Sequence, residues 1–289
     1  MTWTNLPLQQ MKLAFAATMT LVGFMSDPPQ VQAQTAISVA STTKQVASRF
    51  VPPPPPDRGA PGQRKGAASR GGASLGACAS VEKPLTALVP VTKTLGRSQG
   101  GTSGMSPSES VWGLTVAEHP TFWFYVPYSP TALRSVEFVL QDEKDNDVYR
   151  TPVTLPEMAG IVSLRLPPML TPLEIGKMYH WFFKIKIACA PKKQFNVKDY
   201  VEGWVQRVTL SPTLTRQLKA ATPQQRIALY AKNGIWHDAL TTLAELRLVA
   251  PEDATLKADW NDLLQSAGLA YIASQPIVQC CSFEKFTQR

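Results

Sequence analysis

The stretch KMYHWFFKIKI at residues 177–187 decides the fold class, because apolar and polar side chains alternate along most of it. The apolar side chains occupy every second position: Tyr179, Trp181, Phe183, Ile185 and Ile187. The opposite face carries three polar side chains: His180, Lys184 and Lys186. A period of two residues is typical of a β-strand with one buried and one solvated face. The stretch therefore predicts a half-buried strand.

Runs of Val, Ile, Thr and aromatic residues on both sides of this stretch predict further strands, separated by turn signals. They lie near residues 85–89, 112–117, 121–126, 134–141, 147–154, 160–166 and 200–210. Residues 99–108, rich in Gly and Ser, predict a flexible loop. Because no long helical pattern lies between the strands, a parallel sheet is not expected. We predict an antiparallel β-sandwich over residues 84–210.

The corner LEIGKMYHW at residues 173–181 is similar to the entry to the sixth strand of immunoglobulin-like domains. In those domains a Tyr hydroxyl bonds to backbone a few residues upstream. The predicted sandwich is therefore immunoglobulin-like. The run FWFY at residues 122–125 is aromatic on both faces of its strand, so one row must be core. The other row either packs under the C-terminal helices or forms a platform for sugar stacking.

The C-terminal region, residues 211–281, predicts helices. Thr222 and Pro223 are good first residues for a helix, and Asn233-Gly234 ends it. Two further helices are predicted over 235–248 and 253–266, and residues 282–289 form a tail. The spacing of Gly234, Trp236 and the following apolar residues matches the second half of one degenerate tetratricopeptide-like unit. We predict a helical hairpin docked on the sandwich; the alternative is a peptide-binding array.

Residues 1–33 have the features of a secretory signal peptide. Lys12 precedes an apolar run over residues 13–25, and Val31 and Ala33 place small residues before a cleavage site between Ala33 and Gln34. The alternative is an uncleaved anchor. Translation starting at Met11 would give a signal peptide that begins Met-Lys-Leu, which is a more typical start. We expect an exported protein of the periplasm, the cell envelope or the medium.

Residues 34–83 predict a disordered basic tether, because Pro52–Pro56 favour an extended stretch and the Gly/Ala-rich part cannot form a core. The chain has 289 residues and a net charge of +8. Residues 34–110 hold nine Lys or Arg against three Asp or Glu, whereas 111–289 hold nineteen against seventeen. The tether is either a soluble spacer or a contact for anionic lipid or acidic envelope polymers. An exported protein is not expected to meet nucleic acid.

Cysteines in an exported chain predict disulfides. The four are Cys78, Cys189, Cys280 and Cys281. Adjacent cysteines rarely bridge each other. Cys78 and Cys189 are therefore joined either to each other or, as we favour, each to the tail pair. No C-x₂-C pair suggests a zinc site.

Few residues suggest chemistry. Glu118 and His119 could form a general acid/base pair, although neighbours in a strand point to opposite faces. We interpret His180 as a surface strand residue and His237 as a helix residue near its turn. The acidic turn at residues 142–147 holds Asp142, Asp145 and Asp147, which bind Ca²⁺ or form a solvated hairpin turn. The sequence holds no recognisable catalytic or nucleotide-binding motif, and we expect no cofactor and no metal.

Several blocks together resemble the mainly cyanobacterial family of exported proteins known as domain of unknown function 928. They are RGAPG at 58–62, GAASRG at 66–71, LTALVP at 85–90, GLTVAEHPTFWFYVPY at 113–128, GWVQRV at 203–208 and GIWHDAL at 234–240. The resemblance implies export and supplies no reaction. We hypothesise a non-catalytic interaction protein of the envelope or periplasm, whose partner is an envelope protein, an anionic lipid surface or a polysaccharide. The alternatives are a carbohydrate-binding module and a hydrolase that uses Glu118 and His119.

Overall fold

The computed structural model describes residues 49–67, 81–97, 105–188 and 196–279, which all belong to the compact unit Lys44–Arg289. The described strands are β1 (Thr86–Ala87), β2 (Val91–Arg97), β3 (Met105–Thr115), β4 (Thr121–Val126), β5 (Leu133–Gln141), β6 (Asp147–Pro152), β7 (Gly160–Arg165), β8 (Met178–Ala188) and β9 (Asn196–Arg207). The helices are α1 (Pro212–Ala220), α2 (Pro223–Lys232), α3 (Trp236–Val249) and α4 (Ala254–Ser266). None of the helices described here is long and apolar enough to cross a membrane.

The strands form two sheets. One has the order β1-β4-β7 and the other the order β2-β3-β9-β8-β5-β6. Strand β8, the stretch that decides the fold, pairs antiparallel with β5 and β9 along nearly its whole length. The pairing of β3 with β9 is parallel, so the prediction of an antiparallel sandwich throughout is wrong at this pair. The fold is mixed α+β, with two sheets followed by helices.

The two sheets bury the alternating side chains of β8 against β4. Phe183 and Phe124 stack with ring centroids 4.2 Å apart, and Trp181 is completely buried beside them. The hydroxyl of Tyr179 accepts a hydrogen bond of 3.1 Å from the amide of Glu174, so the upstream backbone contact predicted for this corner is confirmed.

Strand β4 is buried on both faces, which explains its uninterrupted run of aromatic residues. Phe122 and Phe124 face the core between the sheets, whereas Trp123 and Tyr125 pack under α3 and α4. Of the two alternatives for this run, packing under the C-terminal helices is confirmed. A sugar-stacking platform on residues 122–125 is wrong, because the helices cover the second row.

The predicted helices correspond to α2, α3 and α4, and α2 begins with a capping box at Thr222 and Gln225. Helix α1 was not predicted, although Ser211 caps it and Pro212 opens it. Strand β2 was also missed, and part of β3 lies in the segment predicted as a flexible loop at residues 99–108. Strand β2 lies at the edge of the six-stranded sheet, and residues 105–108 of β3 carry too little apolar alternation to indicate a strand.

Residues 49–67 pack against the domain. In this part of the chain, the expectation of a disordered tether is therefore wrong. Gln63 exchanges two backbone hydrogen bonds with Glu202 of β9, and Arg64 accepts one from Ala87 of β1. This segment therefore links β9, an inner strand of the six-stranded sheet, to β1 at the edge of the three-stranded sheet. A side chain at Gly62 would approach Glu202 O to 2.8 Å, so a small residue is required there. Proline and glycine lack apolar periodicity, yet an extended backbone can still complete a sheet.

The chain after α4 folds back onto β7 of the three-stranded sheet. Ile161 of β7 donates to Pro276 O and accepts from the amide of Val278, so Ile277 lies in a parallel bridge beside β7. The edges of the three-stranded sheet are thus covered by residues 64–66 at β1 and by residues 276–278 at β7.

Candidate binding face of the six-stranded sheet

One end of the outer face of the six-stranded sheet carries a ladder of stacked aromatic and cationic groups. The rings of His180 and Trp204 are parallel with centroids 4.2 Å apart, and the guanidinium of Arg58 lies 4.5 Å from the Trp204 centroid. Two groups so close to one ring cannot share a face, so Trp204 is sandwiched between them. The next ring, Phe182, lies 4.1 Å from His180.

This ladder is held in place by the segment before the first strand. The indole of Trp204 donates to Pro61 O at 2.9 Å, and Arg58 forms a 3.3 Å ion pair with Glu143. Arg58 is one of the basic residues that the sequence places in the tether. In the folded chain its guanidinium group packs on Trp204 and pairs with Glu143. His180 lies on the outer face of β8, as predicted, with Nε2 3.2 Å from the carboxylate of Glu202.

Beyond Phe182 the face opens into a groove of about 680 Å³ that crosses β5, β8 and β9, a volume within the ~300–1,000 Å³ usual for ligand sites. We call it the lysine groove. The side chains that define it are Phe182, Lys184, Lys186, Lys198 and Tyr200. Glu137 and Glu202 also line it.

The three lysines place positive charge side by side. Lys186 and Lys198 are direct partners across β8 and β9, and both are exposed. Like charges directly opposite each other destabilise a sheet. No acidic side chain forms a salt bridge with Lys184, Lys186 or Lys198 within the described residues, whereas Glu137 is paired with Arg150 at 2.7 Å. A bound anion would relieve this repulsion.

Two aromatic side chains lie beside the lysines. The Lys184 ammonium lies 4.6 Å from the Phe182 centroid, so this ring forms part of the floor. Tyr200 is 40% exposed and pairs with Lys184 across the strands. Its ring contacts no other aromatic ring in the part of the chain described here. An exposed aromatic face beside cations can stack on an apolar ligand surface.

A second, smaller cleft of about 250 Å³ lies where β3 and β4 meet α3; we call it the junction cleft. The carboxylate of Asp238 accepts hydrogen bonds from the Thr115 hydroxyl at 2.9 Å and from the Val116 amide at 3.0 Å. Burial raises the pKa of Asp238 to about 6. Burial also lowers the pKa of the neighbouring His237 to about 4, and its hydrogen bond to Thr121 O opposes this only in part. His237 lies in the first turn of α3, as predicted. Its imidazole is neutral at pH 7.

The structure does not bring together the side chains of Glu118 and His119, the proposed acid/base pair. Glu118 forms a 2.9 Å ion pair with Arg207, whereas His119 lines the junction cleft and donates from Nε2 to Leu170 O at 2.7 Å. The two residues lie in a bend between β3 and β4, not in a strand, and their side chains take different partners.

In the acidic turn, the carboxylates of Asp142 and Asp147 have partners within the β5–β6 hairpin. Asp142 accepts from the backbone amides of Lys144 and Asn146 at 2.8 and 2.9 Å, and hydrogen bonding by Asn146 lowers the Asp142 pKa. Asp147 is paired with Arg150 at 2.8 Å. Asp145 adopts a φ of 63°, as in a tight turn. Of the two alternatives for this turn, Ca²⁺ binding and a solvated hairpin, these contacts match the solvated hairpin.

Several predicted residues lie outside the described part of the chain. They are the cleavage pair Ala33 and Gln34 and the cysteines Cys78, Cys189, Cys280 and Cys281. The lysine groove itself was missed. Alternation of Lys198, Tyr200, Glu202 and Trp204 in the sequence could have indicated a second polar face, but nothing in the sequence gives its register against β8.

The family model described as Domain of Unknown Function (DUF928) matches residues 65–277. This match covers more than half of the chain, so the protein belongs to that family, as the sequence blocks predict. No curated protein and no solved structure matches the chain.

Proposed function

We propose that this member of the domain of unknown function 928 family is a non-catalytic exported binding protein, and that the lysine groove binds an anionic ligand. The observation that carries the proposal is the cross-strand pair Lys186 and Lys198, which stand exposed and opposite each other. A sheet that keeps two like charges in contact is less stable than one with an opposite pair. Such a cost is compatible with a role in ligand binding.

Export is the second part of the proposal, and the signal-like sequence of residues 1–33 supports it. A reporter fused after residue 40 is expected to leave the cytoplasm, and the mature protein is expected to begin at Gln34. Recovery of the uncleaved chain in the cytoplasm contradicts export while leaving the groove proposal untouched. The hydrolase alternative gains no support, since Glu118 and His119 take different partners.

The binding test uses charge removal with a matched control. One variant changes the three groove lysines, Lys184, Lys186 and Lys198, to Gln. The control changes three exposed lysines outside the groove to Gln: Lys144, Lys219 and Lys232. Both variants lose the same charge, so a difference between them reports the location of binding.

Binding is measured against immobilised anionic and neutral polymers and against anionic and neutral vesicles. With roughly 0.5 kcal/mol for each exposed ion pair, loss of the three groove lysines weakens binding of an anionic ligand about tenfold. The control variant binds as the natural chain does. Equal losses in the two variants mean that net charge, and not the groove, drives binding, and the proposal fails.

A further inference from the structure

The lysine groove combines positive charge with an unoccupied aromatic face, and this combination restricts its ligand. Tyr200 is the only exposed large apolar side chain of the described residues that lines the groove. Its hydroxyl makes no hydrogen bond with any described residue. Flat apolar surfaces that carry hydroxyls, such as sugar rings, are suited to stack on such a ring while the tyrosine hydroxyl stays solvated.

The polar lining is mixed. Glu202, Glu137 and Ser135 line the groove together with the lysines. Carboxylates repel a ligand with dense negative charge, such as a polyphosphate, but they accept hydrogen bonds from hydroxyl groups. The lining therefore suits a ligand in which carboxylates alternate with hydroxyls.

The arrangement of the lysines suits a repeating chain. Lys184 and Lys186 are two residues apart on one strand, about 6.7 Å along it, and Lys198 faces Lys186 from the next strand. A ligand with a carboxylate on each repeat can engage several lysines at once, and linked contacts strengthen one another. A single small anion engages fewer of them.

A bilayer surface fits the groove less well. The exposed aliphatic residues Met158, Met169 and Val249 do not line it, and membrane binding at an interface relies on apolar side chains that protrude beside the cations. The groove is concave, and its exposed aromatic ring, Tyr200, lies opposite Lys184 across β8 and β9.

We infer that the ligand of the lysine groove is an acidic polysaccharide of the uronate type, bound with one sugar ring on Tyr200 and its carboxylates on Lys184, Lys186 and Lys198. This inference rests on the proposed function, because it names the ligand class of the same site. Glu202 and Glu137 accept hydrogen bonds from sugar hydroxyls.

The test titrates the full mature chain with polygalacturonate oligomers, with neutral dextran and with phosphatidylglycerol vesicles. Polygalacturonate is expected to bind and dextran is not. Tyr200→Ala weakens polygalacturonate binding about fivefold or more, whereas Tyr200→Phe keeps the ring and stays within about twofold. Circular dichroism checks that both variants fold; because Tyr200 is exposed, they are expected to fold.

The outcomes separate the two proposals. Vesicles that bind as well as polygalacturonate, with Tyr200→Ala unchanged, overturn the polysaccharide inference and leave anion binding at the groove standing. Absence of binding to any anionic probe overturns the proposed function as well. Binding of polygalacturonate that is lost in both Tyr200→Ala and the groove-lysine variant supports both.

Discussion

At the scale of single residues, His237 and Asp238 give the protein two opposite pH dependences at one junction. Asp238 has a folded pKa of about 6 against an ordinary 3.8, so its contribution to stability falls as pH rises from about 4 to 6. His237 has a folded pKa of about 4 against an ordinary 6.5, so its contribution rises over about the same interval. Each is on the order of 3 kcal/mol, and we expect them largely to cancel.

Substituting either His237 or Asp238 should reveal the pH dependence that the other residue contributes to stability. In Asp238→Asn the free energy of unfolding rises more steeply from pH 4 to pH 6.5 than in the natural chain, because the opposing contribution of Asp238 is lost. In His237→Gln it falls over the same interval. Urea unfolding at several pH values measures both slopes, which are compared with the shallow slope of the natural chain. Parallel profiles in all three proteins contradict the account of this junction.

The sequence indicates these residues only in part. His237 is placed correctly near the start of a helix, because Gly234 and the apolar spacing locate that helix. Its burial against Thr121 depends on how α3 docks on β4, and no periodicity encodes that contact. Lys186 is likewise placed on the outer face of its strand, but its partner Lys198 depends on the register of β9.

At the scale of elements, the account depends on segment 49–67 being part of the fold. Arg64 donates to the carbonyls of Ala267 and Gly268 at 2.7 and 3.2 Å, the two residues that follow α4. Gly62→Ala is expected to lower the free energy of unfolding by about 1–3 kcal/mol, because its Cβ meets Glu202 O and Val111. Asp57→Ala, at an exposed position of the same segment, is the control.

Denaturant unfolding of the two variants gives the comparison. If the Gly62→Ala protein is as stable as the Asp57→Ala protein, the segment is not packed closely against β9. Sequence reasoning missed this element because it reads a core from apolar periodicity. Residues 60–66 contribute backbone hydrogen bonds and polar side-chain contacts instead, such as those of Arg64, and these leave no periodic pattern.

At the scale of the whole molecule, segments from near both ends of the described chain close the three-stranded sheet. Limited proteolysis is therefore expected to yield a resistant core that retains residues 49–67, because their backbone is hydrogen-bonded to β1, β3 and β9. Mass spectrometry of the core identifies its peptides. Release of 49–67, with a core beginning near residue 84, contradicts this arrangement and agrees with a free tether.

The central claim is that the lysine groove is where this protein binds its ligand, and chemical-shift mapping tests it most directly. The ¹⁵N-labelled protein is titrated with polygalacturonate oligomers, and amide shifts are followed residue by residue. The account predicts that the shifts concentrate on β8 and β9 around Lys184, Lys186, Lys198 and Tyr200, while the amides of α2 and α3 stay unchanged. Shifts that concentrate on the helices or the junction cleft, with the groove amides unchanged, contradict it.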